Sequence, residues 1–283
     1  MAGKLPVNWR QHLPTYTPTD SAIATRKLSE TVINKIADVL PEFIGGSADL
    51  THSNLTYWKT AVDFQARGSP LGRPDGRYLR FGVREHSMAA ILNGLAAYGA
   101  IIPFGATFLN FISYALGAVR LSALSNEHVI YIMTHDSIGL GEDGPTHQPI
   151  ETLAGLRALP NINVIRPADG NEVSAAYVTA FESLHTPTVI CLTRQNVRQL
   201  EGSSIENALH GAYQLAHGSA KPQIILVGTG SEVEICVDAA AELGATDGIE
   251  AHVVSMPCWE LFDAQPEDYR QSVFPAGVPV LSV

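Results

Sequence analysis

The amino-acid sequence predicts an α/β protein with a parallel sheet flanked by helices, followed by a second α/β unit. Apolar strand-like runs alternate with helical patterns between residues 20 and 195, which is typical of parallel sheets covered on both faces. Asp49, His135 and Arg194 come just after predicted strands, at the edge where such sheets bind ligands. A new strand–helix–strand pattern begins at Ile224.

The N-terminal third is predicted to hold an extended linker, a helix, a strand and a long loop. Residues 1–19 contain three prolines and no periodicity, which predicts a linker. Asp20 or Thr19 should cap a helix whose apolar positions are Ile23, Leu28, Val32, Ile36 and Val39. A short strand at 43–45 follows, and residues 57–80 are polar and rich in Gly and Pro, which predicts a surface loop.

The alternation continues to residue 192 and starts again in the second unit. Besides one strand before the aromatic segment, the predicted strands occupy residues 81–83, 129–133, 163–165, 188–192, 224–227 and 251–254. The predicted helices occupy 85–98, the aromatic segment to about 124, 150–159, 171–184 and 232–243, and Gly99 should end the first of them.

The segment that begins Gly228-Thr229-Gly230 resembles the start of a dinucleotide-binding loop. Val233 stands where that motif needs its third glycine. We therefore interpret the segment as a tight turn in which Ser231 caps the following helix.

The most informative stretch runs from residue 81 to residue 114. Glu85 begins a helix, and the aromatic rings of Phe108, Phe111 and Tyr114 recur every three residues, which should spread them over one helix face. An acid beside aromatic rings suits an aminopyrimidine, which the rings can stack on and the acid can hydrogen-bond. Two plainer interpretations remain open: an acid in a first turn favours the helix dipole, and an aromatic stripe at helical spacing is commonly core.

A second polar stretch, residues 134–149, carries two histidines and two aspartates that suggest either a metal site or a substrate site. His135 and His147, with Asp136 and Asp143, do not follow a compact zinc pattern, and no cysteine joins them. Imidazoles and carboxylates can bind sugar hydroxyls and move protons near neutral pH. Considered one at a time, three further polar residues would be interpreted as surface residues: Arg26, Ser53 and Arg194. The guanidinium group of arginine nevertheless matches the geometry of phosphate oxygens.

Composition excludes several classes of protein. The 283 residues are 46% hydrophobic, enough for two domains with cores. The net charge of −10, from 18 basic and 28 acidic residues, argues against a nucleic-acid surface. Three widely spaced cysteines form no metal or disulfide pattern. Residues 1–9 hold no apolar signal core, and no apolar run could span a bilayer, so we expect a cytoplasmic protein.

Several longer motifs identify a family. Phe-Gly-Val-Arg-Glu-His, Thr-Phe-Leu-Asn-Phe, Thr-His-Asp-Ser-Ile-Gly and Gly-Glu-Asp-Gly-Pro-Thr-His-Gln-Pro occur in that order. The chain therefore resembles transketolases, which are thiamine-diphosphate enzymes, from about Leu5 to Val283, with small departures at Ala106 and His52. The resemblance implies a linker (1–19), a thiamine-diphosphate pyrimidine-binding domain (20–195), a connecting segment (196–210) and a truncated C-terminal domain (211–283).

The resemblance also implies roles for individual residues. Cofactor contacts would come from Asp49, Glu85, Phe108, Phe111 and Tyr114, and Glu85 would protonate the pyrimidine ring. Catalytic residues would be Glu85, His147 and Asp143. Sugar-phosphate contacts would come from Arg26, Ser53, His135, Asp143, His147 and Arg194. The implied reaction is transfer of a two-carbon ketol unit between sugar phosphates.

The resemblance covers only part of a complete active site. The Gly-Asp-Gly motif, by which such enzymes hold Mg²⁺ or Ca²⁺ and the diphosphate, does not occur, so we assign no metal ligand in this chain. We expect it to be inactive alone, and to associate as a homodimer or with a chain that carries the diphosphate-binding domain. Dihydroxyacetone synthase is the alternative enzyme. Deoxyxylulose phosphate synthase and 2-oxo acid dehydrogenase β subunits fit the histidines and Arg194 less well. A non-catalytic dimerisation module or an incomplete gene product is the alternative from another class.

Overall fold

The computed structural model describes residues 4–215 and 222–283. Its strands are β1 Ile23–Ala24, β2 Phe43–Ser47, β3 Tyr78–Arg80, β4 Ile102–Phe108, β5 Ile130–Thr134, β6 Asn163–Ile165, β7 Thr188–Leu192, β8 Asn196–Val197, β9 Tyr213–Gln214, β10 Ile224–Gly228, β11 Ala251–Ser255 and β12 Val280–Ser282. Its α-helices are α1 Thr25–Ile36, α2 Thr51–Asn54, α3 Glu85–Tyr98, α4 Leu116–Leu124, α5 Thr152–Arg157, α6 Gly170–Glu182, α7 Ile205–Ala208, α8 Glu232–Asp247, α9 Trp259–Asp263 and α10 Glu267–Val273. Short 3₁₀ helices occupy Trp9–His12, Leu109–Ala115 and Ile138–Leu140.

The larger sheet has six parallel strands in the order β3-β2-β4-β5-β7-β6. Phe108 at the end of β4 pairs in register with Thr134 at the end of β5, and Thr134 pairs with Leu192 at the end of β7. The carboxyl ends of the central strands therefore form one edge, as predicted for a parallel sheet.

Helices cover both faces of this sheet, which confirms the predicted architecture. Along β5, Ile130 and Ile132 pack into the core cluster that holds α1 and α6, whereas Tyr131 and Met133 pack into the cluster that holds α3 and α4. Because successive strand residues point to opposite faces, a strand buried on both sides reads as a continuous apolar run.

Helix α3 lies directly against β4 because Gly105 has no side chain. A Cβ atom at Gly105 would lie 2.5 Å from Leu92 Cδ1 and 3.0 Å from Met88 Sδ. The helix ends where the sequence predicts, at Gly99, whose φ of 83° is left-handed. This close packing fixes the position of Glu85, the first residue of the helix.

A small two-stranded sheet brings the start of α1 to the end of β7. Strand β1 pairs antiparallel with β8, with Ile23 opposite Val197. The Thr25 amide donates to Thr193 Oγ1 at 2.9 Å, and the Thr193 amide donates to Thr25 Oγ1 at 2.7 Å. These contacts place the neighbouring residues Arg26 and Arg194 on the same side of the sheet edge.

The second unit has a four-stranded mixed sheet in the order β12-β10-β11-β9. Strand β10 pairs parallel with β11 and β12, and β9 pairs antiparallel with β11. The unit is a smaller α/β domain, as predicted, although α8 extends to Asp247 rather than to residue 243.

A buried ion-pair network joins the two units; we call Asp136, Arg166 and Glu232 the Arg166 network. The Arg166 guanidinium donates to Asp136 Oδ2 at 2.7 Å, to the Thr229 carbonyl at 2.8 Å and to the Glu232 carboxylate. Burial alone would lower the pKa of Arg166, but the two carboxylates raise the pKa above its ordinary value. Burial raises the pKa of Asp136 despite this partner.

Three predictions about the N-terminal part and the turns were wrong. The predicted linker contains a 3₁₀ helix, and Trp9 is buried edge-on against Phe181. Helix α1 begins at Thr25, and its N-cap residue is Ala24, which has no side chain that could cap it; Asp20 instead accepts a hydrogen bond from the Thr17 amide. Ser231 likewise makes no capping bond; its hydroxyl donates to Glu232.

The predicted surface loop 57–80 was also partly wrong. It contains β3, and Trp58 and Tyr78 are among the largest fully buried side chains. The Tyr78 hydroxyl bonds to the side chains of Thr51 and Thr56, and such partners let a polar segment enter the core. The strand predicted at 81–83 lies three residues earlier, at Tyr78–Arg80.

Candidate active site

The three predicted aromatic side chains form a row along the edge of the sheet. Phe108 ends β4, and the next residues form a 3₁₀ helix rather than an α-helix. Residues three apart eclipse one another in a 3₁₀ helix, so the rings stack in line instead of spreading over a face. Ring centroids are 5.6 Å apart for Phe108 and Phe111, and 6.0 Å apart for Phe111 and Tyr114. Tyr114 is 67% exposed at the outer end of the row.

Glu85 begins α3, which packs against the 3₁₀ helix that carries Phe111 and Tyr114, because the two helices share one core cluster. The residue is only 9% exposed. Within residues 4–215 and 222–283, no hydrogen bond or ion pair holds its carboxylate. The buried side-chain oxygens and nitrogens that lack a partner in the described part of the chain do not include those of Glu85, so its carboxylate oxygens reach solvent and can accept a hydrogen bond from a ligand. Glu85 therefore fits a bound heterocycle that donates or shares a hydrogen.

His135 is held at the inner end of the aromatic row. It follows β5 in a left-handed conformation with φ of 60°, and it is 2% exposed. Its ring stacks on Phe108 with centroids 3.7 Å apart. Left-handed backbone is uncommon outside glycine, although asparagine, aspartate and histidine adopt it more often than other residues. Here it turns the imidazole back over the end of β4.

Three cationic or titratable side chains, those of Arg26, Arg194 and His147, lie close to His135. We call these four residues the cationic cluster. Burial first, and then the nearby charges of Arg26, Arg194 and His147 in that order, lower the pKa of His135 to about 3. Burial and then Arg194 also lower the pKa of Arg26. The Arg26 Nη1 atom donates to the Ser53 carbonyl at 2.8 Å, and its buried Nε has no partner among the described residues. Such a concentration of hydrogen-bond donors is suited to a doubly charged phosphate.

The loop after β5 brings His147 to the aromatic row. Its ring centroid lies 5.1 Å from that of Phe111 and 5.9 Å from that of Phe108. Thr146 Oγ1 lies 2.8 Å from His147 Nδ1, and Asn110 donates to the Thr146 carbonyl at 2.8 Å. The loop is thereby tied to the 3₁₀ helix.

Two predicted site residues lie exposed at the border of this cluster. Asp143 is exposed in the same loop, beside Glu142, which pairs with Arg194 at 3.0 Å. Asp49 follows β2 with a left-handed φ of 64° and is also exposed. The structure thus brings Arg26, Ser53, His135, His147 and Arg194 together, and it leaves Asp49 and Asp143 at the edge.

Sequence reasoning missed three buried polar residues behind His135. Ser47, Asn54 and Thr134 form a chain of hydrogen bonds that ends on the His135 ring. The available signal was weak: a serine and a threonine at the ends of β2 and β5. Among the described residues no cluster of three or more His, Cys, Asp or Glu could hold a metal ion, and no helix there is long and apolar enough to cross a membrane.

The family described as "Transketolase, pyrimidine binding domain" matches residues 21–199, and "Transketolase-like TK C-terminal domain" matches 211–283. A probable transketolase of Schizosaccharomyces pombe is 60% identical over all of this chain and 41% of its own length. The transketolase of Pichia stipitis in complex with sedoheptulose 7-phosphate is 62% identical, with a TM-score of 0.97, over 99% of this chain and 41% of that one.

A third similar structure is a chain described as a split-gene transketolase, an inactive β4 tetramer. It is 26% identical with a TM-score of 0.71, and the match covers 93% of this chain and 80% of that one. The present chain spans about two fifths of the length of the curated relatives that it matches, such as the Schizosaccharomyces pombe protein. On the evidence of both domain matches and these similarities, the chain belongs to the transketolase family.

Proposed function

We propose that this chain supplies the pyrimidine-binding and sugar-phosphate-binding parts of an active site that transfers a two-carbon ketol unit between sugar phosphates. The observation that carries the proposal is the position of Phe108. Its ring stacks on the rings of both Phe111 and His135, so the aromatic row and the cationic cluster lie next to each other. A cofactor ring and a sugar phosphate bound there would be neighbours.

Glu85 and the aromatic row fit the pyrimidine ring of thiamine diphosphate. When bound, that cofactor supplies the carbon nucleophile and the electron sink of ketol transfer. Phe111 would offer a ring face for stacking, and Glu85, which has no partner within the described residues, would share a hydrogen with a ring nitrogen. Asp49 and Tyr114 would contribute from the exposed border.

The cationic cluster fits the sugar phosphate. Arg26 and Arg194 would bind the phosphate oxygens, with Ser53 and His135 beside them. His147 stands nearer to the aromatic row, so it would contact the hydroxyl or carbonyl end of the sugar together with Asp143, and it can move a proton near neutral pH.

We further propose that the chain is inactive alone and acts with a chain that carries a diphosphate-binding domain. The absence of Gly-Asp-Gly from the sequence supports this. So does the description of the split-gene relative as inactive. In addition, α3 exposes Ile91 and Tyr98, and α4, which packs on α3, exposes Leu121 and Leu124; exposed apolar side chains on neighbouring helices are suited to contact with another polypeptide.

Calorimetric titration tests the proposed half-site. We expect thiamine diphosphate with Mg²⁺ to bind the 283-residue chain weakly, and to bind tightly once a separately expressed diphosphate-binding domain of a transketolase is added. The mixture should transfer ketol units from a ketose phosphate to an aldose phosphate, and Glu85→Gln should abolish most of this activity. Tight binding or turnover by the chain alone would overturn the claim of inactivity.

The phosphate part can be tested without the cofactor. Inorganic phosphate should bind the wild-type chain, and Arg26→Gln or Arg194→Gln should weaken that binding about tenfold or more, because each removes a charged hydrogen-bond donor. Arg120→Gln, an exposed position on α4, is the matched control and should bind as the wild type does. Equal loss in the control would refute the assignment of the two arginines.

A further inference from the structure

Four buried side chains form one hydrogen-bonded line that ends at His135, within the cationic cluster. The Ser47 hydroxyl donates to Asn54 Oδ1 at 2.6 Å, and Asn54 Nδ2 donates to Thr134 Oγ1 at 2.8 Å. Thr134 Oγ1 lies 2.8 Å from His135 Nδ1. All four residues are at most 2% exposed. We call this line the Ser47–His135 chain.

The line has a direction because its members differ in what they can donate. An amide nitrogen only donates, so Asn54 makes Thr134 Oγ1 an acceptor. Among the described residues, His135 Nδ1 is the only other hydrogen-bond partner of that oxygen, so it is the one group that can accept the Thr134 hydrogen. Ser47 fixes the amide, because its oxygen accepts from the Leu50 amide at 3.1 Å and its hydrogen goes to Asn54 Oδ1. An imidazole that accepts at Nδ1 carries its hydrogen on Nε2.

We propose that the Ser47–His135 chain sets the tautomer of His135, so that Nε2–H donates a hydrogen bond to an anion oxygen held by Arg26 and Arg194. Ser47, Asn54 and Thr134 are thereby positioning residues, since they act on the anion through His135. The identification of the anion as the phosphate of a sugar rests on the proposed function, whereas the tautomer does not.

The tautomer matters because the ring has only one hydrogen to offer. Burial and the neighbouring arginines keep His135 neutral at physiological pH. With the hydrogen on Nδ1, the ring would turn a lone pair toward the anion and repel it. The stacking on Phe108 and the left-handed backbone hold the ring plane, so the ring cannot easily rotate to correct a wrong tautomer.

Nitrogen-15 NMR of the histidine rings in the 283-residue chain tests the tautomer directly. The two neutral tautomers give different Nδ1 and Nε2 shifts, and His135→Gln identifies the His135 signals by their loss. We expect the wild type to show hydrogen on Nε2. Hydrogen on Nδ1 would overturn the proposal, whatever the activity of the assembled enzyme.

The role of each link is tested by matched variants with inorganic phosphate as the probe. Thr134→Ser keeps the hydroxyl and should bind phosphate within about twofold of the wild type. Thr134→Val removes it and should bind several-fold more weakly. Asn54→Asp, once its carboxyl is ionised, can only accept, so Thr134 must donate to it and accept from His135, which reverses the tautomer and weakens binding about tenfold.

Three results would count against the positioning role. One is that Thr134→Val binds phosphate as tightly as Thr134→Ser does. Another is that the ionised Asn54→Asp variant, in a folded chain, keeps the His135 hydrogen on Nε2. Failure of phosphate to bind the wild type would overturn the donor role of His135 as well. Failure of ketol transfer alone would overturn only the proposed function, because neither measurement uses the cofactor or the partner domain.

Discussion

The imidazole ring of His135 lies nearly parallel to the ring of Phe108, with 3.7 Å between their centroids and 28° between their planes. This contact is the physical link between the aromatic row and the cationic cluster. It exists because Phe108 ends β4 and Thr134, the residue before His135, ends the adjacent strand in register with it. Changes at Phe108 should therefore reach both parts of the site.

Phe108→Ala should destabilise the chain by about 3 kcal/mol, because it removes a buried ring that contacts Phe111 and His135 and leaves a cavity. Phe108→Leu should cost about half as much, since it retains most of the buried apolar volume. Urea denaturation measures both. Tyr114→Ala, at the exposed end of the same row, is the control and should change the free energy of unfolding by less than about 1 kcal/mol. A control that costs as much as Phe108→Ala would show that the row is not anchored at His135.

The buried state of His135 should make stability depend on pH. Its pKa falls from 6.5 to about 3 on folding, first because of burial, so the unfolded chain takes up a proton more readily than the folded chain. The stabilisation from neutral His135 is complete above pH 6.5 and is lost as the pH falls from 6.5 toward 3.

The matching variant is His135→Gln. Between pH 6.5 and pH 4.5, the wild type should lose stability more steeply than this variant, by up to about 1.4 kcal/mol per pH unit. Urea denaturation at several pH values gives the two slopes, and His52→Gln, an exposed position, should keep the wild-type slope. Equal slopes for wild type and His135→Gln would contradict the prediction.

Gly105→Ala should destabilise the chain by about 1–3 kcal/mol, because the new methyl group would meet Leu92 and Met88 and push α3 away from β4. The same substitution at Gly94, on α3 itself, meets no atom within 4 Å. Gly94→Ala should stabilise the chain by about 0.5–1 kcal/mol, through helix propensity alone. Thermal denaturation of the pair should move the melting temperatures in opposite directions, and a shared direction would refute the packing argument.

Arg166→Met should destabilise the chain by about 3–5 kcal/mol, because it leaves Asp136 buried without its counter-charge. Glu232→Gln should cost less, since the Glu232 side chain is 29% exposed. Arg198→Met is the control: Arg198 forms exposed ion pairs with Glu234 and Asp238, so the loss should be at most about 1 kcal/mol. Chemical denaturation compares all three, and similar losses for Arg166→Met and Arg198→Met would contradict the assigned role of burial.

The elements that the sequence predicted best are those with the simplest environments. Strands β6 and β7 have the predicted bounds because strands buried on both faces are apolar throughout. Helix α3 ends at the predicted Gly99, since a left-handed terminus favours glycine. Strand β3 was misplaced because Tyr78 enters the core through hydroxyl partners on another segment, which local patterns do not reveal.

The candidate site shows the same division. Glu85 and the aromatic row could be found within one stretch, because their spacing is local. Arg26 and Arg194 come together only through the pairing of β1 with β8 and the Thr25–Thr193 contacts, so family resemblance rather than spacing grouped them. Asn54 and Thr134 carry no pattern at all; their role depends on hydrogen bonds between residues that are 80 positions apart.

The Arg166 network also limits how this protein can be recombined with its relatives. Arg166 and Asp136 belong to the first unit, while the Thr229 carbonyl and Glu232 belong to the second. A chimaera with its crossover in the connecting segment keeps the guanidinium but inherits a foreign residue at position 232. Breakpoints that preserve this carboxylate should give folded hybrids, whereas those that replace it with an apolar residue bury an imperfectly neutralised cation at the joint.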